Sequence, residues 1–245
     1  MSLHLAGVLA DAAALWRRER GLLVPLAGMF FLVPMLGMVL LIGASGFPGD
    51  VTAEQLPEAL RAFQSANLVP ILGANLALDF GSFAVMTLFL QTGERTLGEV
   101  LIATLRRFLP FLAIDLMGSF LFGLGLSLFL LPGLLIFSRT WLAIPAYAAA
   151  PEAGPVAAIR EGWRRSGGTV WIAILAGAGM VLFLSLLAMF FVAGITGGIG
   201  ALLGGGQVAM ALGYLAMAVV GAGSWTALTL LRVAFYRAGS PRQGI

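Results

Sequence analysis

The chain has no cysteine, no lysine and a single histidine, His4. Without cysteine there is no disulfide framework, zinc–thiolate site or thiol nucleophile. Without lysine there is no Schiff-base chemistry and no P-loop lysine. One histidine close to the amino terminus reads as a solvated surface residue rather than a ligand. Charge is scarce too: 10% of the 245 residues are charged and 60% are hydrophobic, where a soluble domain carries roughly 25% charged residues. Period-two alternation is missing, which argues against a lipid-facing barrel. No glycine-rich fingerprint follows a strand pattern, so no nucleotide site is read. Together these gaps remove most catalytic inventories and every cofactor signature.

What the chain does have is long uncharged apolar runs, such as residues 21–49 and 166–231. A helix crossing the hydrocarbon core needs about 20 apolar residues, so the second run alone is long enough for two crossings and a turn. The expected fold is an all-α polytopic membrane bundle of six transmembrane helices, near residues 21–43, 67–91, 108–131, 133–149, 169–192 and 207–236. Pro132-Gly133 is expected to form the tight external turn between the third and fourth spans. The glycine-rich stretch 193–206 is expected to be an outer loop. Prolines 34, 70, 110 and 145 fall in or beside spans, where kinks are expected.

The basic residues are all arginine apart from His4, and they cluster. Arg17, Arg18 and Arg20 precede the first span. Arg95, Arg106 and Arg107 lie between the second and third, and Arg160, Arg164 and Arg165 between the fourth and fifth. Arg237 and Arg242 follow the last. The opposite side carries Arg61 with Asp50, Glu54 and Glu58. By the positive-inside rule both termini are cytoplasmic. Arginines beside spans anchor to anionic headgroups, which makes membrane phospholipids the expected partners, a membrane-protein partner possible and nucleic acid a poor fit.

Three of these clusters end amphipathic patterns. Leu5, Val8, Leu9, Ala12 and Trp16 recur at helical spacing ahead of Arg17-Arg18. The apolar run that follows is too long for a signal-peptide core and reads as an uncleaved anchor. Thr96 and Glu99 form a capping box that opens a helix ending at Arg106-Arg107. Pro155 opens a third, with Trp163 and Arg164-Arg165 near its end and Gly167-Gly168 as its stop. The reading is three basic amphipathic surface helices, each followed by a hairpin. It divides one integral membrane domain into units of about 1–91, 92–150 and 151–245, with no soluble catalytic domain. Trp16, Arg17, Arg18, Arg106, Arg107, Trp163, Arg164 and Arg165 are the candidate headgroup and interface residues.

The stretch 130–175 carries a further pattern: Pro132-Gly133, then Arg139, then Pro145 and Glu152, Gly154 and a basic helix with Trp163 that ends at Gly168 and Trp171. This pattern resembles the glycerophosphoryl diester phosphodiesterase membrane-domain family. The resemblance implies a bacterial inner-membrane protein linked to lipid or envelope metabolism. Some members of the family precede a soluble barrel that does the hydrolysis. Such a barrel needs about 250 residues of its own and the spans here consume the chain, so no enzyme activity is carried over.

Intramembrane charges are the remaining functional candidates, because a charge at bilayer depth costs several kcal/mol unless paired. They are Asp79, Asp115 and Arg139. At about 1.5 Å per residue, Arg139 lies about 10 Å from the outer face, Asp79 about 18 Å and Asp115 about 20–25 Å. Arg139 is therefore expected to face the bundle and pair with Asp79 or reach toward Asp115. A buried pair of this kind fixes helix register, but it also suits a polar substrate or proton path. The expected function is a non-enzymatic membrane protein that binds lipid or scaffolds an envelope complex. The alternative is a small transporter using the three intramembrane charges, and a membrane-embedded phosphoesterase is the least favoured.

Overall fold

The computed structural model describes residues 4–47, 51–91, 93, 96–202 and 207–239, with side chains left out of account at 200–202. Expectations for Asp50, Arg95, Arg242 and residues 203–206 lie outside these. Among the described residues the chain is helical throughout and has no strand. Six helical stretches are long and apolar enough to cross a membrane: Leu5–Ser45, Leu68–Leu90, Leu97–Leu128, Leu130–Ala149, Val170–Ile199 and Gln207–Ala238.

The first stretch comprises α1 (Leu5–Ala27), a π-helical turn at Gly28–Leu32 and α2 (Val33–Ser45). Its 41 residues would extend about 60 Å if straight, twice a hydrocarbon core. It is not straight. Glu19 leaves helical geometry at φ −115°, ψ 23°, next to the Arg17–Arg20 cluster and close to the expected boundary between surface segment and span. The π turn sits just ahead of Pro34, whose ring displaces the carbonyl four residues back. Val33 N–H donates instead to the Gly28 carbonyl. Proline 110, by contrast, is carried within a helix with no dihedral departure recorded.

A short helix follows, α3 (Leu56–Ala66), none of whose residues is buried. It is held locally by a Phe47–Phe63 stack at 5.0 Å. Helix α4 (Leu68–Leu90) has a run from Gly81 to Thr87 inside the protein. Gly81 permits this: a Cβ there would stand 2.5 Å from Phe30 Cβ. Helix α5 (Leu97–Leu128) opens with the expected capping box, Thr96 N–H donating to Glu99 at 2.8 Å and Glu99 N–H to Thr96 Oγ1 at 3.4 Å. It then runs unbroken for 32 residues. The expected separation of a basic surface helix at 97–107 from a span starting at Phe108 is therefore corrected: the two are one helix. No helix breaker stands between them, and Ile102, Leu105, Leu109, Leu116, Phe120, Leu124 and Leu128 make one continuous exposed apolar stripe.

The turn between the third and fourth spans is also corrected. It lies at Phe129, extended at φ −164°, ψ 160°, and Pro132-Gly133 sits inside α6 (Leu130–Thr140). Proline fits the first helical turn because its missing N–H is unpaired there anyway. Gly133 packs on α5: a Cβ on it would come within 3 Å of Leu126, and a Cβ on Gly125 would come within 3 Å of the Gly133 Cα. The fourth span is broken at Trp141-Leu142 and resumes as α7 (Ala143–Ala149), six of whose seven residues are buried. A 3-10 turn at Pro151–Ala153 leads into α8 (Gly154–Arg165). This basic helix is a separate element, as expected, and folds back on α7. A Cβ at Gly162 would collide with the backbone of Ala143.

Helix α9 (Val170–Leu202) carries the glycine-rich stretch into helix as far as Leu202, so the expected loop at 193–206 is corrected over 193–202. Helix α10 (Gln207–Ala238) packs along α9 and receives α1 and α2 on another side. Gly43 and Gly221 are the close-approach points between α2 and α10, facing Tyr214 and Met35.

Candidate functional site: an intramembrane charge cluster and an apolar groove

The charge cluster is positioned by aromatic packing. Phe83 of α4 stacks on Phe111 of α5 with centroids 4.6 Å apart, and Tyr147 of α7 joins the stack at 5.9 Å from Phe83. The two helices are antiparallel, so one turn along from this stack α4 presents Asp79 and α5 presents Asp115 on the same side. Both are half-buried; Asp79 feels the fields of Asp115 and Arg232, and Asp115 that of Arg232. Helix α10 supplies the third charge. Trp225, Thr229 and Arg232 follow at helical spacing, four and three residues apart. Trp225 donates to Ser82 Oγ at 2.9 Å and Thr229 at 3.4 Å, which turns that face toward α4. Arg232 then interacts electrostatically with Asp115 and, second, with Asp79.

Arg232 and Asp115 both line a cavity of about 120 Å³ between α5, α6, α7 and α10. Ser119 and Thr140 contribute hydroxyls to its wall. The Arg232 guanidinium lies over the Trp141 ring, 5.1 Å from its centroid. Among the described residues, no carboxylate oxygen lies within ion-pair distance of Arg232. The site is thus Asp115 and Arg232 on a polar gap, with Asp79 in electrostatic reach of both.

Arg139 is not part of it. Its Nη1 donates to the Trp163 carbonyl at 3.3 Å, and its guanidinium lies 5.7 Å from the Trp163 ring centroid. The expected pairing with Asp79 or Asp115 is corrected by two features. The fourth span breaks directly after Thr140, and α8 folds back so that Trp163 and Ser166 reach that end of α6. Ser166 Oγ donates to the Arg139 carbonyl at 3.2 Å. The depth count assumed a straight fourth span with water beyond its inner end. The arginine that the cluster uses, Arg232, went unread because it lies six residues from the end of the sixth span, where it resembles one more flanking arginine. Its i, i+4, i+7 register with Trp225 and Thr229 was the signal available.

Among the other pattern residues, Gly133 and Pro145 are buried, and Glu152 is exposed in the 3-10 turn. Of the interface residues, Arg18 pairs with Glu19 at 3.1 Å. Arg106 is exposed, and Arg107 is half-buried and electrostatically coupled to Tyr147. Arg164 and Arg165 both bind Glu161, at 2.6 Å each. Hydrogen bonds from Arg164 and then Arg165 hold the Glu161 carboxyl down at about 2, against the opposing effect of partial burial. Arg165 also donates to the Tyr236 carbonyl at 2.9 Å and lies over that ring at 4.1 Å, tying α8 to the end of α10.

The second feature is a groove of about 790 Å³. The bend at Glu19 opens it. One wall is Leu9 to Arg17 before the bend, another Val24 to Leu32 after it, and the floor is Val219 to Leu231 of α10. The floor extends about 18 Å. The lining is apolar apart from Thr226 and Arg17, with Trp16 next to that arginine. Comparison with family models, with curated proteins and with solved structures finds no match to this chain.

Proposed function

We propose that this chain is a non-enzymatic membrane protein of the bacterial inner membrane, with both termini cytoplasmic, that binds phospholipid in the α1–α10 groove. The carrying observation is the size and lining of that groove: an apolar trough of ligand-pocket size with Trp16 and Arg17 in its lining. A lipid tail gains little by leaving other tails for this groove, because hydrocarbon is as apolar as leucine. Selectivity therefore rests on the headgroup. An arginine near the membrane surface favours an anionic lipid by about 1 kcal/mol, and no acidic residue lines the trough. The arginine-bearing segments around it and the family-like pattern at 130–175 point the same way.

Native mass spectrometry of the protein released from mixed phosphatidylglycerol and phosphatidylcholine nanodiscs tests this reading. The expected result is one retained phosphatidylglycerol, weakened about five-fold in Arg17→Gln. Equal retention of the two lipids, unchanged by Arg17→Gln, would sink it. The transporter alternative finds support in the polar gap beside Asp115 and Arg232. At about 120 Å³ that gap is the size of a few water molecules, too small for an organic solute.

A further inference from the structure

We infer that Asp79, Asp115 and Arg232 form a binding site for one monovalent cation, either a proton or an alkali-metal ion. This goes beyond the lipid reading and does not depend on it. The inference starts from charge. Asp115 and Arg232 share one gap and Asp79 lies within electrostatic reach of both, so the fully ionised cluster carries one uncompensated negative charge. At bilayer depth an uncompensated charge costs several kcal/mol, and a single bound positive charge removes that cost.

The geometry says where the cation goes. The Phe83–Phe111 stack sets Asp79 and Asp115 on facing turns, and the Trp225 and Thr229 bonds to Ser82 bring Arg232 up from α10. Arg232 is held over Trp141 rather than against a carboxylate, which leaves the Asp115 oxygens facing the gap. Ser119 and Thr140 on the gap wall add oxygen ligands of the kind hard cations take. Other ionisable groups on the surrounding helices do not supply the missing charge. Arg139 on α6 is turned to Trp163, and Arg107 on α5, one turn from Phe111 in the direction away from Asp115, interacts with Tyr147 on α7. No charged residue occurs on α9.

Wild-type protein in nanodiscs at neutral pH tests the site directly. Infrared spectroscopy reads whether a carboxyl is protonated, and melting curves in sodium, potassium or choline chloride read whether an alkali ion binds. A proton as occupant gives a protonated-carboxyl band that disappears in Asp79→Asn or in Asp115→Asn. An alkali ion gives no such band. It raises the melting temperature by a few degrees per tenfold increase of sodium or potassium over choline, and Asp79→Asn, which neutralises the cluster, removes that dependence. If the wild type shows neither a protonated carboxyl nor a cation-dependent melting point, the inference is overturned, whether or not the variants fold.

Discussion

Two of the arginines that lie over aromatic rings, Arg165 and Arg232, have surroundings that differ in kind. Arg165, on the basic helix α8, has its carboxylate at 2.6 Å, a backbone carbonyl at 2.9 Å and a ring at 4.1 Å. Arg232, on the last span, has its ring at 5.1 Å and shares a cavity with Asp115. The first arrangement satisfies its donors and ties two helices together, and it has nothing left to bind. The second keeps charge in reserve at a place where charge is expensive. A latch and a site can therefore be told apart by whether the guanidinium's partners are in contact, even when the same residue types build both.

The largest effect that separates them is expected at Arg232. Arg232→Met leaves two carboxylates without a counter-charge and should destabilise the protein by about 3 kcal/mol, toward the low end for removing one member of a buried pair, because a cavity already separates the charges. Adding Asp115→Asn restores the original excess of one negative charge and should recover most of that loss. Unfolding in nanodiscs measures both. If the double variant is no more stable than the single one, Arg232 is not acting on Asp115.

Gly162→Ala is the corresponding break on the latch side. Its Cβ would meet the Ala143 backbone, and backbone cannot swing aside as a flexible side chain can. The α7–α8 contact should loosen at a cost of roughly 1–3 kcal/mol. The Arg165–Tyr236 link should weaken with it, which would show as faster amide exchange at the ends of α8 and α10 and unchanged exchange around Asp115.

These two positions also show what was legible beforehand. The span number, the capping box at Thr96 and the bounds of α8 all follow from local rules: hydropathy over about 20 residues, an S/T-x-x-E spacing, a proline start and a glycine stop. Asp79 and Asp115 were legible for a similar reason, since a carboxylate in an apolar run needs no partner to be conspicuous. Their partner was not legible. Arg139 lies mid-way along the fourth span and Arg232 near the end of the sixth, and which one turns inward depends on the break at Trp141-Leu142 and on α8 folding back to occupy Arg139. That is a tertiary fact with no local marker. The α1–α10 groove was equally hidden, because it exists only where the bend at Glu19 meets a helix two hundred residues later.

The smallest expected effect concerns the latch and acid. Glu161 has its carboxyl held at about 2, chiefly by the Arg164 hydrogen bond. Its pKa is lower folded than unfolded, so the stability it contributes is fully present above its ordinary value of 4.5 and is lost as pH falls from there toward about 2. Arg164 is largely exposed, so screening keeps the contribution to a few tenths of a kcal/mol, up to about 1. Glu161→Gln should flatten that part of the acid unfolding curve and raise the salt sensitivity of nothing else. The same substitution must leave the cation dependence around Asp79 and Asp115 intact, because α8 bonds to the end of α10 beyond Arg232 and not to the cluster. If Glu161→Gln changed both, latch and site would be one coupled device, and the distinction drawn from their contacts would fail.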